Sequence, residues 1–400
     1  MARRVAPQPI RHVDDDERRA RLGLRQGLAS GARFGDVVEA TRAMTVLHAT
    51  EPASVHLALH ARVDGVTVAD VEEALYVERS LVKQLAMRQT LFAFTRDLLP
   101  AAWGSASARL AGPLRTRVAT DLVTAGVTTD GGAWLDEVAD AVVGVLGDRE
   151  ASAAELRALV PELDRRIERG AGKWGQAVPL APQVLMVLCA QGQVVRASNG
   201  GHWRLARPRY TATAHWLGEV PAAWEPRAGY AELVRRWLRT FGPGTEADLR
   251  WWLGGTLGLV RTALTDIDAV PVSLDGSDAV GWLLPEDVEP VEDAGEWVAL
   301  LPTLDPTVMG WHGRRFYLGR HRDQLFDSVG NAGTTAWWNG RVVGVWVQDD
   351  ASAVSVHPIA DVPAHVRRML DREARRLTDW LDGVAVTTIA VSPAMERARG

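Results

Sequence analysis

The sequence predicts an α+β protein in which a unit of helices closed by a β-hairpin recurs and then gives way to a strand-rich C-terminal region. Three observations carry this prediction. Helical spacing of apolar residues alternates with short β-branched runs as far as residue 295; capping signals stand where helices would start; and beyond Glu296 short strands follow one another with a single amphipathic helix among them. The expected organisation is a flexible tail over 1–16, three helix-and-hairpin units over 17–127, 128–218 and 219–295, and a small barrel or sandwich over 296–400.

In the first unit, residues 35–47 and 53–63 have helical spacing, and Thr67 is placed to cap a third helix. Residues 79–87 read as a short basic helix, and 90–95, rich in aromatic and β-branched side chains, as a strand. Helix, turn, basic helix and strand is the order of a winged helix-turn-helix. The second unit opens on the capping box Ser152-Ala-Ala-Glu155, continues in the apolar helix 181–190, and ends in strands 193–197 and 202–206 about an Asn199-Gly200 turn. The third holds helices 230–241, 245–253 and 256–264, with Thr245 as a cap, then strands 270–274 and 280–284. In the last region, strands are expected at 297–301, 315–318, 335–338, 342–347, 353–358 and 387–391, with a turn at Asn339-Gly340. Its helix, 363–381, carries Val366, Leu370, Leu377 and Leu381 on one stripe.

Composition narrows the class of protein. With 400 residues, 47% hydrophobic and 24% charged, the chain is ordinary globular material of several domains. One cysteine, Cys189, in an apolar run excludes an intramolecular disulfide and a cysteine-rich metal site. No apolar segment has the length of a signal or a membrane span, so a cytoplasmic, nucleoid-associated protein is expected. The net charge of −5 argues against nucleic acid, but its distribution does not. From Arg79 to Thr120, Arg79, Lys83, Arg88, Arg96, Arg109, Arg115 and Arg117 face the single acid Asp97. From Arg165 to Tyr210, Arg165, Arg166, Arg169, Lys173, Arg196, Arg204, Arg207 and Arg209 face Glu168 alone, whereas no Lys or Arg occurs between Thr262 and Gly313. The second hairpin interleaves Arg196, Arg204, Arg207 and Arg209 with His202 and Trp203, a pattern suited to gripping phosphates and filling a gap in a base stack. Alternatively, Trp203 packs back on its own domain.

His48 and Thr50 sit at a break between two apolar helical runs. They are either helix-terminal residues, with Thr50 capping the helix that begins near Pro52, or a reactive pair. His56 and His60 share a helical face without a third ligand in view, so no metal site is expected. Leu304-Asp305-Pro306 reads as a turn. Gly-rich phosphate loops, zinc-protease motifs and nucleophile elbows do not occur, and no cofactor is expected.

Leu47-His-Ala-Thr-Glu-Pro52, Met87-Arg-Gln-Thr-Leu91, Leu301-Pro-Thr-Leu-Asp-Pro306, Gly330-Asn331 and Asn339-Gly-Arg-Val-Val-Gly-Val-Trp346 together resemble the bacterial winged-helix DNA glycosylases that excise bulky alkylated purines and unhook interstrand crosslinks. The resemblance spans nearly the whole chain. It implies three tandem winged-helix units in a C shape about DNA, followed by a β-barrel. It also implies a monomeric, metal-independent enzyme whose partner is double-stranded DNA containing alkylated bases. The characterised branches of that family carry Gln-x-Gln or Gln-x-Asp where this chain has His48-Ala49-Thr50, and His where it has Phe92, so the chain resembles a third branch.

An N7- or N3-alkylated purine is already cationic and leaves without a proton. The remaining work is to stabilise charge on the sugar and to orient water. His48, with an ordinary pKa of about 6.5, suits a general base, Thr50 a water-holding hydroxyl, and the adjacent Glu51 a source of negative charge. The alternative from another class is a winged-helix DNA-binding protein or regulator without catalysis.

Overall fold

The computed structural model describes residues 7–169 and 176–399. The chain forms two compact units, Met1–Val71 with Ala231–Gly400, and Glu72–Tyr230. No helix among the described residues is long and apolar enough to cross a membrane.

The first unit begins earlier than the expected tail allows. Asp14 caps helix Asp15–Arg25 by accepting from the Glu17 N–H at 2.8 Å, and His12–Val13 pairs parallel to Val270–Leu274. Three successive acids, Asp14 to Asp16, are a helix N-terminus signal because negative charge there meets exposed N–H groups. Only residues 1–6 of the expected tail lie outside the described residues, as does Lys173 of the basic stretch.

The strand pair Val270–Leu274 and Ser277–Leu283 lies in a sheet ordered His12–Val13, Val270–Leu274, Ser277–Leu283, Gly244–Thr245, with Val13, Val272, Leu274 and Leu283 as its core. The expected cap is in place: Thr245 and Asp248 bond reciprocally at the start of Glu246–Leu253. Thr256, read as the first residue of the next helix, instead caps Leu257–Asp266 with its hydroxyl.

The C-terminal strands form an antiparallel meander: Val298–Leu301, Thr335–Trp338, Arg341–Gln348 and Val354–Pro358. Asn339 and Gly340, both at positive φ (44° and 75°), make the expected turn, and Asn339 Oδ1 accepts from the Trp297 N–H at 2.8 Å. This sheet is open, and the expected barrel is not formed. Helix Ala364–Leu381 contacts both edge strands and seats Val366, Leu370, Leu377 and Leu381 against them, which buries the face that closure would have buried. Two expected strands are absent. Arg315–Leu318 is a helical turn whose Phe316 and Tyr317 pack on Trp311 and Trp337 (5.1 and 5.4 Å between ring centroids), so aromatic packing outweighs strand propensity there. Residues 387–391 form no strand; the Thr388 hydroxyl and the Ile389 N–H bond to a side chain, Glu51, instead.

The second unit packs helices Ala108–Thr124, Gly131–Val145, Ala153–Leu159 and Ala181–Ala190 around Leu114, Val118, Leu135, Val142, Leu156 and Leu188. The Ser152–Glu155 capping box is formed as expected. Residues 79–87 are not a helix. Leu81–Ala86 is a strand paired antiparallel to Thr90–Thr95, with Arg88 and Gln89 at positive φ (54° and 58°) in the turn. Burial of Leu81, Val82, Gln84, Leu85 and Ala86 on both faces of this strand outweighs the helical reading. The second hairpin is also wider than expected. Val194–Asn199 pairs with Pro208–Ala212, and residues 202–206 are loop, because the Asn199 amide accepts from the Arg207 N–H and donates to the His202 carbonyl. A further pair, Arg166–Arg169 with Gln176–Pro179, was not expected from the sequence.

Candidate active site

The segment carrying His48 and Thr50 is fixed from both sides. Upstream, helix Val37–Ala43 ends at Met44, Thr45 takes a positive φ of 65°, and its hydroxyl bonds that of Thr240 at 2.8 Å. Val46 and Leu47 are buried, which anchors the short strand Leu47–His48. Downstream, Pro52 begins helix Pro52–His60 at a position where its missing N–H costs nothing. The residue at the N-cap is Glu51, and its side chain makes no capping bond. Thr50 therefore does not cap the helix, and His48 belongs to a strand, not to the end of a helix.

The three expected site residues differ in exposure. His48 and Glu51 are buried, and Thr50 is exposed. Glu51 turns inward, where its carboxylate accepts from the Ile389 N–H and from the Thr388 hydroxyl, the latter at 3.1 Å. Burial pushes the Glu51 carboxyl above its ordinary value, against the opposing pull of bonds from Ile389, Thr388 and Ser54. The Thr388 hydroxyl also bonds that of Thr303 at 2.9 Å, and the Ser54 hydroxyl donates to the Thr303 carbonyl at 2.9 Å. This polar seam borders a cavity of about 330 Å³ lined by Glu51, Ser54, Thr303, Gln348 and Thr388 among others. Sequence reading missed Ser54, Thr303 and Thr388. Thr303 lies within Leu301–Pro306, a stretch that stood out without a role.

Asp305, read as part of a turn, does more. It caps helix Pro306–Met309 and holds the buried Arg62 guanidinium through bonds of 2.7 and 2.9 Å. His56 and His60 are held within the fold. His60 is buried against the Trp380 ring at 4.6 Å, and burial, with Arg376 and Arg33 nearby, pushes its pKa down to about 2, so it stays neutral. His56 bonds the Pro52 carbonyl at 3.1 Å. No group of three or more potential metal ligands occurs among the described residues.

The expected DNA-binding residues separate by what they touch. Arg79 donates to the Trp216 carbonyl at 2.8 Å and lies over the Trp216 ring, Arg96 donates to the Leu217 carbonyl, and Arg209 donates to the Glu150 carbonyl and pairs with Glu155. Lys83 donates to the Tyr76 hydroxyl at 2.7 Å and faces Arg196 across the strand pair; burial and that neighbour lower its pKa to about 8. Trp203 is buried, its ring 5.6 Å from that of His202. Phe92 is buried edge-on to Phe94. Arg88, His202 and Arg207 are exposed, and Arg204 is partly so.

The DNA glycosylase AlkZ-like family matches residues 41–380, and the chain belongs to that family. No curated protein sequence matches it. Its fold is similar to that of the Streptomyces sahachiroi DNA glycosylase AlkZ, with a TM-score of 0.72 and 19% sequence identity over 94% of this chain and 98% of that one.

Proposed function

We propose that this DNA glycosylase hydrolyses the N-glycosidic bond of N7- or N3-alkylated purines, bulky adducts included, in repair or in self-protection against a DNA-alkylating toxin. The observation that carries the reading is the arrangement at the strand-to-helix junction inside the family-matched segment. An exposed Thr50 hydroxyl stands two residues from a buried imidazole and next to a buried carboxylate. In this reading the Thr50 hydroxyl holds a water molecule and His48 takes its proton as the water attacks C1′. The bond to the base breaks with its electron pair passing to the cationic purine, which leaves neutral. Glu51 supplies negative charge near the developing positive charge of the sugar.

The protein acts as a monomer on duplex DNA and without a metal. Its helical units are three winged-helix modules, spanning 17–127, 128–218 and 219–295, and Arg88, Arg204 and Arg207 among others contact the phosphates. The test is to incubate the protein with duplex oligonucleotides bearing an N7-alkylguanine and to measure abasic sites. Wild type is expected to excise; His48→Ala to lose about 10² to 10⁴-fold in rate; and Thr50→Ala to lose activity without loss of stability. If wild type binds DNA but excises none of several N7 and N3 adducts, the protein is a binding factor. If both variants excise normally, the site lies elsewhere.

A further inference from the structure

One apolar side chain near this junction faces solvent on a backbone that is held in place. Ile389 is 68% exposed. Its N–H donates to the Glu51 carboxylate, the preceding Thr388 hydroxyl bonds both Glu51 and Thr303, and the following Ala390 is fully buried with its N–H bonded to Thr388 Oγ1 at 3.1 Å. A lone exposed isoleucine on an unrestrained loop is ordinary protein surface. Here hydrogen bonds hold the backbone on both sides, so the side chain is presented at the surface. Glu51 directly follows Thr50, which places Ile389 one residue and one hydrogen bond from the exposed threonine.

We propose that Ile389 is a wedge that enters the base stack of duplex DNA beside the damaged nucleotide, and that Glu51 is the positioning residue that presents it. The occupant is a DNA duplex, the substrate of the family. The proposal rests on reading His48 to Thr50 as the reactive centre. An aliphatic side chain suits the role because base faces are apolar, and a β-branched one keeps a stiff χ1 and enters without further ordering. Ile389 has no proton to give or take, so it does no chemistry. It opens the stack at the nucleotide whose sugar must meet water.

The test uses the full chain and a duplex with 2-aminopurine stacked beside a tetrahydrofuran abasic analogue, whose fluorescence rises when the stack opens. Saturating wild type is expected to raise the signal. Ile389→Ala should return it to that of free DNA with an unchanged melting temperature, since the side chain is exposed, and Ile389→Leu should restore it. Glu51→Gln, which keeps an acceptor for the Ile389 N–H, should retain the signal, and Glu51→Ala should lose it. Single-turnover excision by Ile389→Ala is expected to fall about tenfold. A full signal from Ile389→Ala, or none from wild type, overturns the wedge. Excision that is unaffected by His48→Ala and Thr50→Ala, with the fluorescence pattern intact, overturns the reactive-centre reading and not the wedge.

Discussion

Of the carboxylates buried in the first unit, Asp305 at 1% exposure and Glu51 at 7% are treated by the fold in opposite ways. Asp305 meets a guanidinium. Arg62 gives it two bonds, the Thr307 N–H a third, and Arg62 goes on to Thr307 Oγ1, which donates to Gln26. Glu51 meets a hydroxyl and a peptide N–H, and burial leaves its carboxyl raised above the ordinary value. A buried charge with a matched partner belongs to the framework. A buried carboxyl whose desolvation outweighs its hydrogen bonds is the kind of group found at functional sites.

The largest effect should come from breaking the matched pair. Asp305→Asn leaves Arg62 buried without a counter-charge and is expected to cost about 3–5 kcal/mol in denaturant unfolding, while the double change Arg62→Met with Asp305→Leu costs much less. A loss below about 1 kcal/mol, the range of an exposed ion pair, would erase the contrast with Glu51.

Glu51→Gln should do the reverse, leaving the protein as stable as wild type or more so while excision falls. The amide oxygen still accepts from Ile389, without the cost of a buried charge. Because the folded-state value of Glu51 is raised, its favourable contribution is complete below the ordinary carboxyl range and is lost as the pH rises through the raised value. Melting curves of the two proteins should therefore diverge toward neutral pH and converge near a pH of about 4. A gap that widens in acid would place Glu51 with Asp305 as part of the framework.

Both carboxylates also show where sequence reading stops. Glu51 and Thr388 lie 337 positions apart, and Arg62 and Asp305 lie 243 apart; nothing local announces either partnership. The caps at Ser152 and Thr245 were legible because donor and acceptor lie within three residues of each other. The hairpin at 81–95 was not. Its turn uses Arg88 and Gln89 at positive φ, where Asn-Gly would have advertised it, and its lysine and flanking arginines suggested a recognition helix. At the candidate site, His48, Thr50 and Glu51 were picked out from the sequence, but their burial and the partners Ser54, Thr303 and Thr388 were not. Thr50 was read as a possible cap, yet the position belongs to Glu51, whose side chain is committed to residues 388 and 389.

The smallest predicted effect extends the contrast to the cations of the second unit. Arg209 is committed to the fold through the Glu150 carbonyl and Glu155, whereas Arg207 is exposed and Arg204 partly exposed in the wide loop of the second hairpin. If that loop grips the backbone of DNA, each arginine releases about one counterion on binding, and each charge reversal should reduce the slope of log affinity against log salt by about 0.9. Arg204→Glu with Arg207→Glu should therefore weaken binding to every sequence alike and flatten its salt dependence, with the melting temperature unchanged. Arg209→Glu should instead lower the melting temperature, because it faces a carbonyl and a carboxylate with a second negative charge. Equal salt slopes for wild type and the loop variant would take this hairpin off the DNA surface and leave the first unit, with Thr50 and Ile389, to hold the duplex near the reaction.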